Sequence, residues 1–206
     1  MCGITGFTAP GGEAEAILAR MNRALAHRGP DGSGSFVDDG IALGHTRLAI
    51  IDLTGGAQPR VDRATGDAFV FNGEIYGYKA LAEELRKTGV ILRDRSDTEV
   101  LFQLIRRIGL PRAVERIDGM FAFAYRDGAS GALHLVRDRF GEKPLYWGQA
   151  RAGSSSPPRS RRCAATLTFT KPGSIGRPPI PYCCSSICQA PLQAGAGSRS
   201  SSPARF

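Results

Sequence analysis

The sequence predicts an α+β domain, a mainly antiparallel sheet system with helices layered on it. Three observations carry that reading. Short apolar or alternating runs are each closed by glycine-, aspartate- or asparagine-rich turns. Neighbouring runs are joined by hairpin signals, at Asp38-Asp39-Gly40 and again at Asp127-Gly128-Ala129-Ser130-Gly131. Amphipathic segments fall between groups of strands and do not alternate with single strands as βαβ units would.

Cys2 to Thr8 alternates small with β-branched or aromatic residues and ends at Ala9-Pro10-Gly11-Gly12, which predicts a short strand and a turn. Ala14, Ile17, Leu18, Met21 and Leu25 recur at helical steps and form one apolar stripe. His27 to Gly34 holds three glycines and a proline, so a polar loop is expected there. Phe36-Val37 and Ile41-Ala42-Leu43 form a hairpin. Gly44-His45-Thr46-Arg47 then reads as a polar quartet feeding a strand over Leu48 to Asp52, and Gly55 to Pro59 as a turn.

Ala68-Phe69-Val70-Phe71 is a strand expected to stop at Asn72-Gly73-Glu74, because Asn-Gly suits tight turns. Tyr78 to Thr88 is a helix with Leu81 and Leu85 on one face, stopped by Gly89. Ser96-Asp97-Thr98-Glu99 fits a capping box ahead of Val100, Leu101, Leu104 and Ile105. A short helix over Pro111 to Arg116 follows, with proline at an early helical position. Met120 to Tyr125 and Leu133 to Val136 are strands, Arg137 to Pro144 a solvated, salt-bridged loop, and Leu145-Tyr146-Trp147 a further strand.

Composition divides the chain. The net charge of +8 comes from residues 151–206, which hold eight basic residues and no acid; residues 1–150 hold 19 of each sign. That tail also carries 11 serines and eight of the 13 prolines, a composition that seldom builds a core. One domain over 1–150 and a basic Ser/Pro-rich appendage, disordered or off-pattern, over 151–206 are therefore expected. The folded part is neutral on balance, so no nucleic-acid partner is expected. No basic region leads into an apolar one at the start, and no apolar run approaches a membrane span, so a cytoplasmic protein is expected. Cys2 is the only cysteine before residue 163, which rules out a disulfide framework for the main domain. Cys163, Cys183, Cys184 and Cys188 have poor spacing for zinc, and no metal is expected.

Met1-Cys2-Gly3-Ile4 is the stretch with most chemistry. Once Met1 is removed, Cys2 carries both a thiol, with a reference pKa near 8.5, and a free α-amine, near 7.7 to 8.0. Nucleophile and general base then come from one residue. The plain alternative is a small residue opening a strand. A papain-like pairing of Cys2 with His27, His45 or His134 has no local signature behind it; His27 and His45 read as loop-ordering residues and His134 as an ordinary strand residue.

Further blocks fall in order behind it: Gly6-Phe7, His27-Arg28-Gly29-Pro30-Asp31, Arg47-Leu48 with Asp52, Gln58-Pro59, Asn72-Gly73-Glu74-Ile75-Tyr76, Ser96-Asp97-Thr98-Glu99, Gly119 to Ala124, and Arg137-Asp138-Arg139 with Lys143-Pro144-Leu145-Tyr146. Together these resemble the glutaminase domain of asparagine synthetases, a class II glutamine amidotransferase and N-terminal-nucleophile hydrolase. The resemblance covers residues 1 to about 148. It implies an αββα sandwich of two antiparallel sheets flanked by helices, with Cys2 on a central strand. It also implies hydrolysis of L-glutamine to glutamate and ammonia, with Cys2 as nucleophile and with Asn72 and Gly73 as an oxyanion hole built on their turn. Arg47 would grip the substrate α-carboxylate, Asp97 and Glu74 its ammonium, and Leu48 and Ile50 would line the pocket. A homodimer is compatible with it.

Two departures stand out. Gly77 replaces the usual asparagine. No Ser-Gly-Gly-x-Asp-Ser pyrophosphate loop occurs, so the ATP-dependent synthetase half, with its ATP and Mg, is expected to be absent and no cofactor is expected in this chain. The abrupt change near residue 150 suggests a reading-frame shift in a longer gene. A truncated remnant that folds without turnover is the alternative function.

Overall fold

The computed structural model describes residues 1–8, 12–38, 40–147 and 188–190. Its elements are β1 (Gly3–Thr8), α1 (Ala14–Ala24), β2 (Gly32–Asp38), β3 (Ile41–Arg47), β4 (Arg60–Asp62), β5 (Asp67–Tyr76), α2 (Tyr78–Lys87), α3 (Asp97–Ile108), α4 (Leu110–Arg116), β6 (Asp118–Arg126), β7 (Leu133–Arg137) and β8 (Cys188–Ala190). A 3₁₀ turn spans Ala26–Arg28.

Two antiparallel sheets form, ordered β1-β3-β2 and β4-β5-β6-β7-β8. Period-two alternation assigns their faces. Ile4, Ile41 and Leu43 from the first sheet meet Ala68, Val70, Ala122, Ala124, Leu133 and Leu135 from the second, forming the layer between the sheets. The opposite face of the first sheet carries Phe7 and Ala42, which pack on Ala14 and Leu18 of α1. The opposite face of the second carries Phe69, Phe71, Phe121 and Phe123, covered by apolar residues of α2, α3 and α4. The layers run helix, sheet, sheet, helices: the αββα sandwich is what these four apolar faces build.

Several local expectations need correction. The strand expected over Leu48 to Asp52 does not form; the polar quartet Gly44 to Arg47 is itself the end of β3, paired on one side with β1 and on the other with β2. Beyond Arg47 side chains take over from the ladder, with Asp31 Oδ2 accepting from Ala49 N–H at 2.8 Å. Residues Gly32 to Gly34, read as loop, belong to β2. β5 does not stop at Asn72; it runs to Tyr76, because Asn72 to Tyr76 continue in register with Ala122 to Asp118 of β6. β1 lies at the edge of its three-stranded sheet, and Cys2 sits one residue before it, so it is not on a central strand.

Only half of the capping box is made. Ser96 Oγ accepts from Glu99 N–H at 3.1 Å, but Ser96 N–H goes to Asp94 Oδ1 and Glu99 turns inward to Arg93 N–H and Gln103. Leu145–Trp147 forms no strand, with only an isolated bridge at Tyr146. The 137–144 loop is anchored, not solvated: Asp138 is buried and accepts from the N–H groups of Phe121, Phe140, Glu142 and Lys143. Gly77 has φ of +66°, in the left-handed region that glycine and asparagine both tolerate, which makes the departure there conformationally neutral. Apart from β8, the reading of 151–206 lies outside the described residues. Among the described residues no helix is long and apolar enough to cross a membrane.

Candidate active site

The same alternation that fills the core builds the site. Cys2 is in phase with Ile4; Arg47 with Ile41, Leu43 and His45; Asn72 with Ala68 and Val70; Met120 with Ala122 and Ala124. Carried past the end of the apolar layer, each sheet's inner face delivers polar or reactive side chains to one open end of the sandwich. There a single cavity is lined by all eight residues singled out in the sequence: Cys2, Arg47, Leu48, Ile50, Asn72, Gly73, Glu74 and Asp97.

Cys2 is half-buried. Its Sγ accepts from Leu48 N–H at 3.4 Å and donates to Leu48 C=O at 3.7 Å, while Arg28 Nε donates to its carbonyl at 3.1 Å. Burial pushes the thiol pKa up; the Leu48 hydrogen bond, the Met1 ammonium and Arg47 oppose it without cancelling it. The resting sulfur is therefore a thiol, and a base must remove its proton before attack.

Asn72 is buried, and its Nδ2 has no hydrogen-bond partner. A buried amide donor left open costs about 1 to 3 kcal/mol, which is tolerated where a ligand supplies the acceptor. Gly73 follows on the edge of β5 that β4 no longer covers. Along that edge Phe71 N–H goes to Gln58 Oε1 at 2.6 Å and Ile75 N–H to Asp97 Oδ2 at 3.1 Å. By alternation Gly73 N–H points the same way, between them, at the cavity wall. The two donors thus meet on a strand; the turn expected to hold them does not exist. Glycine is required for close approach: a Cβ there would meet Phe121 Cα at 2.6 Å and press on Met120 O.

Asp97 opens α3 and is buried, its carboxylate also accepting Thr98 N–H at 2.8 Å. Burial raises its pKa; the Ile75 and Thr98 N–H groups pull it back, and nearby Glu74 pushes it up further. Arg47 leaves the end of β3 with Nη2 on Asp52 C=O at 2.6 Å. Glu74 is exposed at the mouth, and Ile50 is 73% exposed, a rim position more than a wall.

Several lining residues carried no chemical signal in the sequence. Gln58 and Thr98 join through Gln58 Nε2 to Thr98 Oγ1 at 3.3 Å. Lys143, read as solvated, is 7% exposed and reaches Met1 Sδ at 3.4 Å. Behind the wall Asp94 ties two loops together, accepting from Gly56 N–H, Ser96 N–H and Oγ, and Arg60. These bonds outweigh its desolvation and hold its pKa down at about 2. Only their coming together in space marks these residues.

His45 is not a loop residue; it is a fully buried strand residue whose pKa burial lowers to about 4. Because the folded value lies below the ordinary 6.5, its contribution to stability is intact above pH 6.5 and lost as pH falls toward 4. The loss should reach about 3 kcal/mol over that window. Urea midpoints measured from pH 7 to 4 are expected to fall accordingly, and His45→Gln to flatten that slope. Asp94 contributes loss only below about pH 4, so the two windows separate.

An αββα sandwich with a cysteine thiol, an open amide donor, an arginine and a buried aspartate at one end of the inter-sheet layer defines an amidotransferase-type site. The solved structure of glutamine phosphoribosylpyrophosphate amidotransferase from B. subtilis, complexed with ADP and GMP, superposes with a TM-score of 0.54 at 26% identity, over 68% of this chain and 37% of that one. The chain belongs to the glutamine amidotransferase domain family, which it matches over residues 1–157. It is 39% identical over 152 residues to glutamine-hydrolysing asparagine synthetase 1 of Bacillus subtilis strain 168, and 38% identical over 133 residues to asparagine synthetase B of Escherichia coli K12. Those matches cover 71% and 65% of this chain but 24% of each relative, so it spans about a quarter of their length.

Proposed function

We propose that this chain hydrolyses the side-chain amide of L-glutamine to glutamate and ammonia, as the ammonia-releasing part of an asparagine synthetase-type reaction. The observation that carries the proposal is the buried, unpartnered Asn72 Nδ2 beside the Gly73 N–H in the cavity that holds Cys2. That is a pair of donors waiting for an oxygen.

With Met1 removed, the Cys2 α-amine takes the thiol proton as Sγ bonds to the substrate amide carbon, and the carbonyl oxygen becomes an oxyanion held by Asn72 and Gly73. The tetrahedral adduct collapses as the ammonium returns the proton to the leaving nitrogen, releasing ammonia and leaving a thioester. Water attacks the thioester with the amine again as base; the S–C bond breaks, and glutamate and free thiol result. The chemistry uses side chains, the α-amine and water, with no cofactor in this chain; ATP and Mg belong to the synthetase reaction that consumes the ammonia.

Arg47 offers a planar fork to the substrate carboxylate. Burial raises the pKa of Asp97, and a substrate ammonium beside it would favour its charged form, with Glu74 as second acid at the mouth. Arg47→Lys should raise KM for glutamine by about 10- to 100-fold with a smaller change in kcat, since a lysine gives a point charge and no fork. Glutamate release by the purified chain, with intact mass confirming Met1 removal, is the direct test. A folded chain beginning at Cys2 that releases no glutamate would favour the non-catalytic remnant.

A further inference from the structure

β4 is only three residues long. Its first residue, Arg60, opposes Phe69. The ladder stops there. The next residue of β5 facing this edge is Phe71, whose N–H and C=O would have met the backbone of residue 58 had the strand continued.

Side chains replace that missing backbone. Gln58 Oε1 accepts Phe71 N–H at 2.6 Å, and the imidazole of His45, reaching across from the other sheet, donates to the Phe71 carbonyl. Both are held in those roles. Gln58 is oriented by its own Nε2 on Thr98 Oγ1. His45 is buried with Nε2 unpartnered, which leaves Nδ1 as the donor. The Phe71 carbonyl belongs to the peptide that carries Asn72, and the next peptide carries the Gly73 N–H. Fixing Phe71 on one side, while Asp97 fixes Ile75 on the other, sets the direction of both open donors.

We propose that Gln58 and His45 are positioning residues, a two-sided clamp on Phe71 that replaces the missing β4 residue and aims Asn72 and Gly73 at the reacting oxygen. The inference rests on the glutamine-hydrolysis reading. Neither residue touches the oxyanion, so their effect belongs to the transition state and should leave substrate binding in place.

Gln58→Met keeps the bulk and removes the acceptor. It should lower kcat about 10- to 100-fold while KM stays within about threefold and iodoacetamide still alkylates Cys2 at close to the normal rate. Exchange of the Phe71 amide should accelerate at least about tenfold, because its partner is gone. His45→Phe should reproduce the kcat loss, and His45→Gln, which retains an amide donor, should recover most of it. A kcat for Gln58→Met within about threefold of wild type, or a KM rise matching the kcat fall, overturns the proposal. If His45→Phe does not fold, Gln58→Met decides alone. If the wild-type chain releases no glutamate, the functional reading fails. The clamp is then judged on Phe71 exchange, which stays unchanged in Gln58→Met if no clamp exists.

Discussion

Cys2→Ala is expected to reduce glutamate release from glutamine by about 10⁴-fold or more, with the fold and glutamine binding retained. The size follows from the division of labour: removing a nucleophile from a concerted site costs about 10⁴ to 10⁶ in kcat, and what survives is the activity of bound, polarised substrate toward water. On the proposed reading Arg47 and Asp97 grip glutamine independently of the sulfur, so titration calorimetry should show binding within a few-fold of wild type. A thiol held protonated by burial gives the prediction a second edge. A variant that retains Met1, made by placing a bulky residue directly after it, keeps the sulfur but converts the amine into a peptide nitrogen. It should be nearly as inactive as Cys2→Ala. Substantial turnover by the Met1-retaining variant would show that another base takes the thiol proton.

The layered fold was legible because each strand's alternation and each helix's stripe specify a buried face; Phe69 and Phe71 against Ala68 and Val70 already separate two sides of β5. What misled local reading was competition between intrinsic turn chemistry and sheet pairing. Asn72-Gly73 has strong turn character in isolation, yet β6 offers five partners in register from Ala122 to Asp118, and the ladder wins. Conversely, Leu48 to Ile51 looks like a strand by composition. Among the described residues no neighbouring strand reaches it, so Asp31 and Cys2 satisfy the Ala49 and Leu48 amides instead. The eight candidate site residues were legible because their types match a known pattern. Gln58, Thr98 and Lys143 were not, since each has an ordinary turn, cap or surface explanation until the sheets bring them to one wall.

Asn72→Ala should lower kcat by about 10²- to 10³-fold, with KM for glutamine changed by less than about threefold. The side chain is buried and its Nδ2 is unsatisfied in the free protein; on the proposed reading its partner arises only when the substrate carbonyl becomes tetrahedral and negative. Truncation should cost the fold little, since it deletes a buried unsatisfied donor along with a small volume, two effects of opposite sign. The effect should therefore appear in kcat and not in the urea midpoint, an unusual separation for a buried strand residue. Asn72→Asp sharpens the case. It preserves size but sets a carboxylate against the developing oxyanion, so its kcat should fall at least as far as that of Asn72→Ala. Should Asn72→Asp instead retain near-normal kcat, the oxygen lies elsewhere, and Gly73 N–H with some other donor would have to hold it.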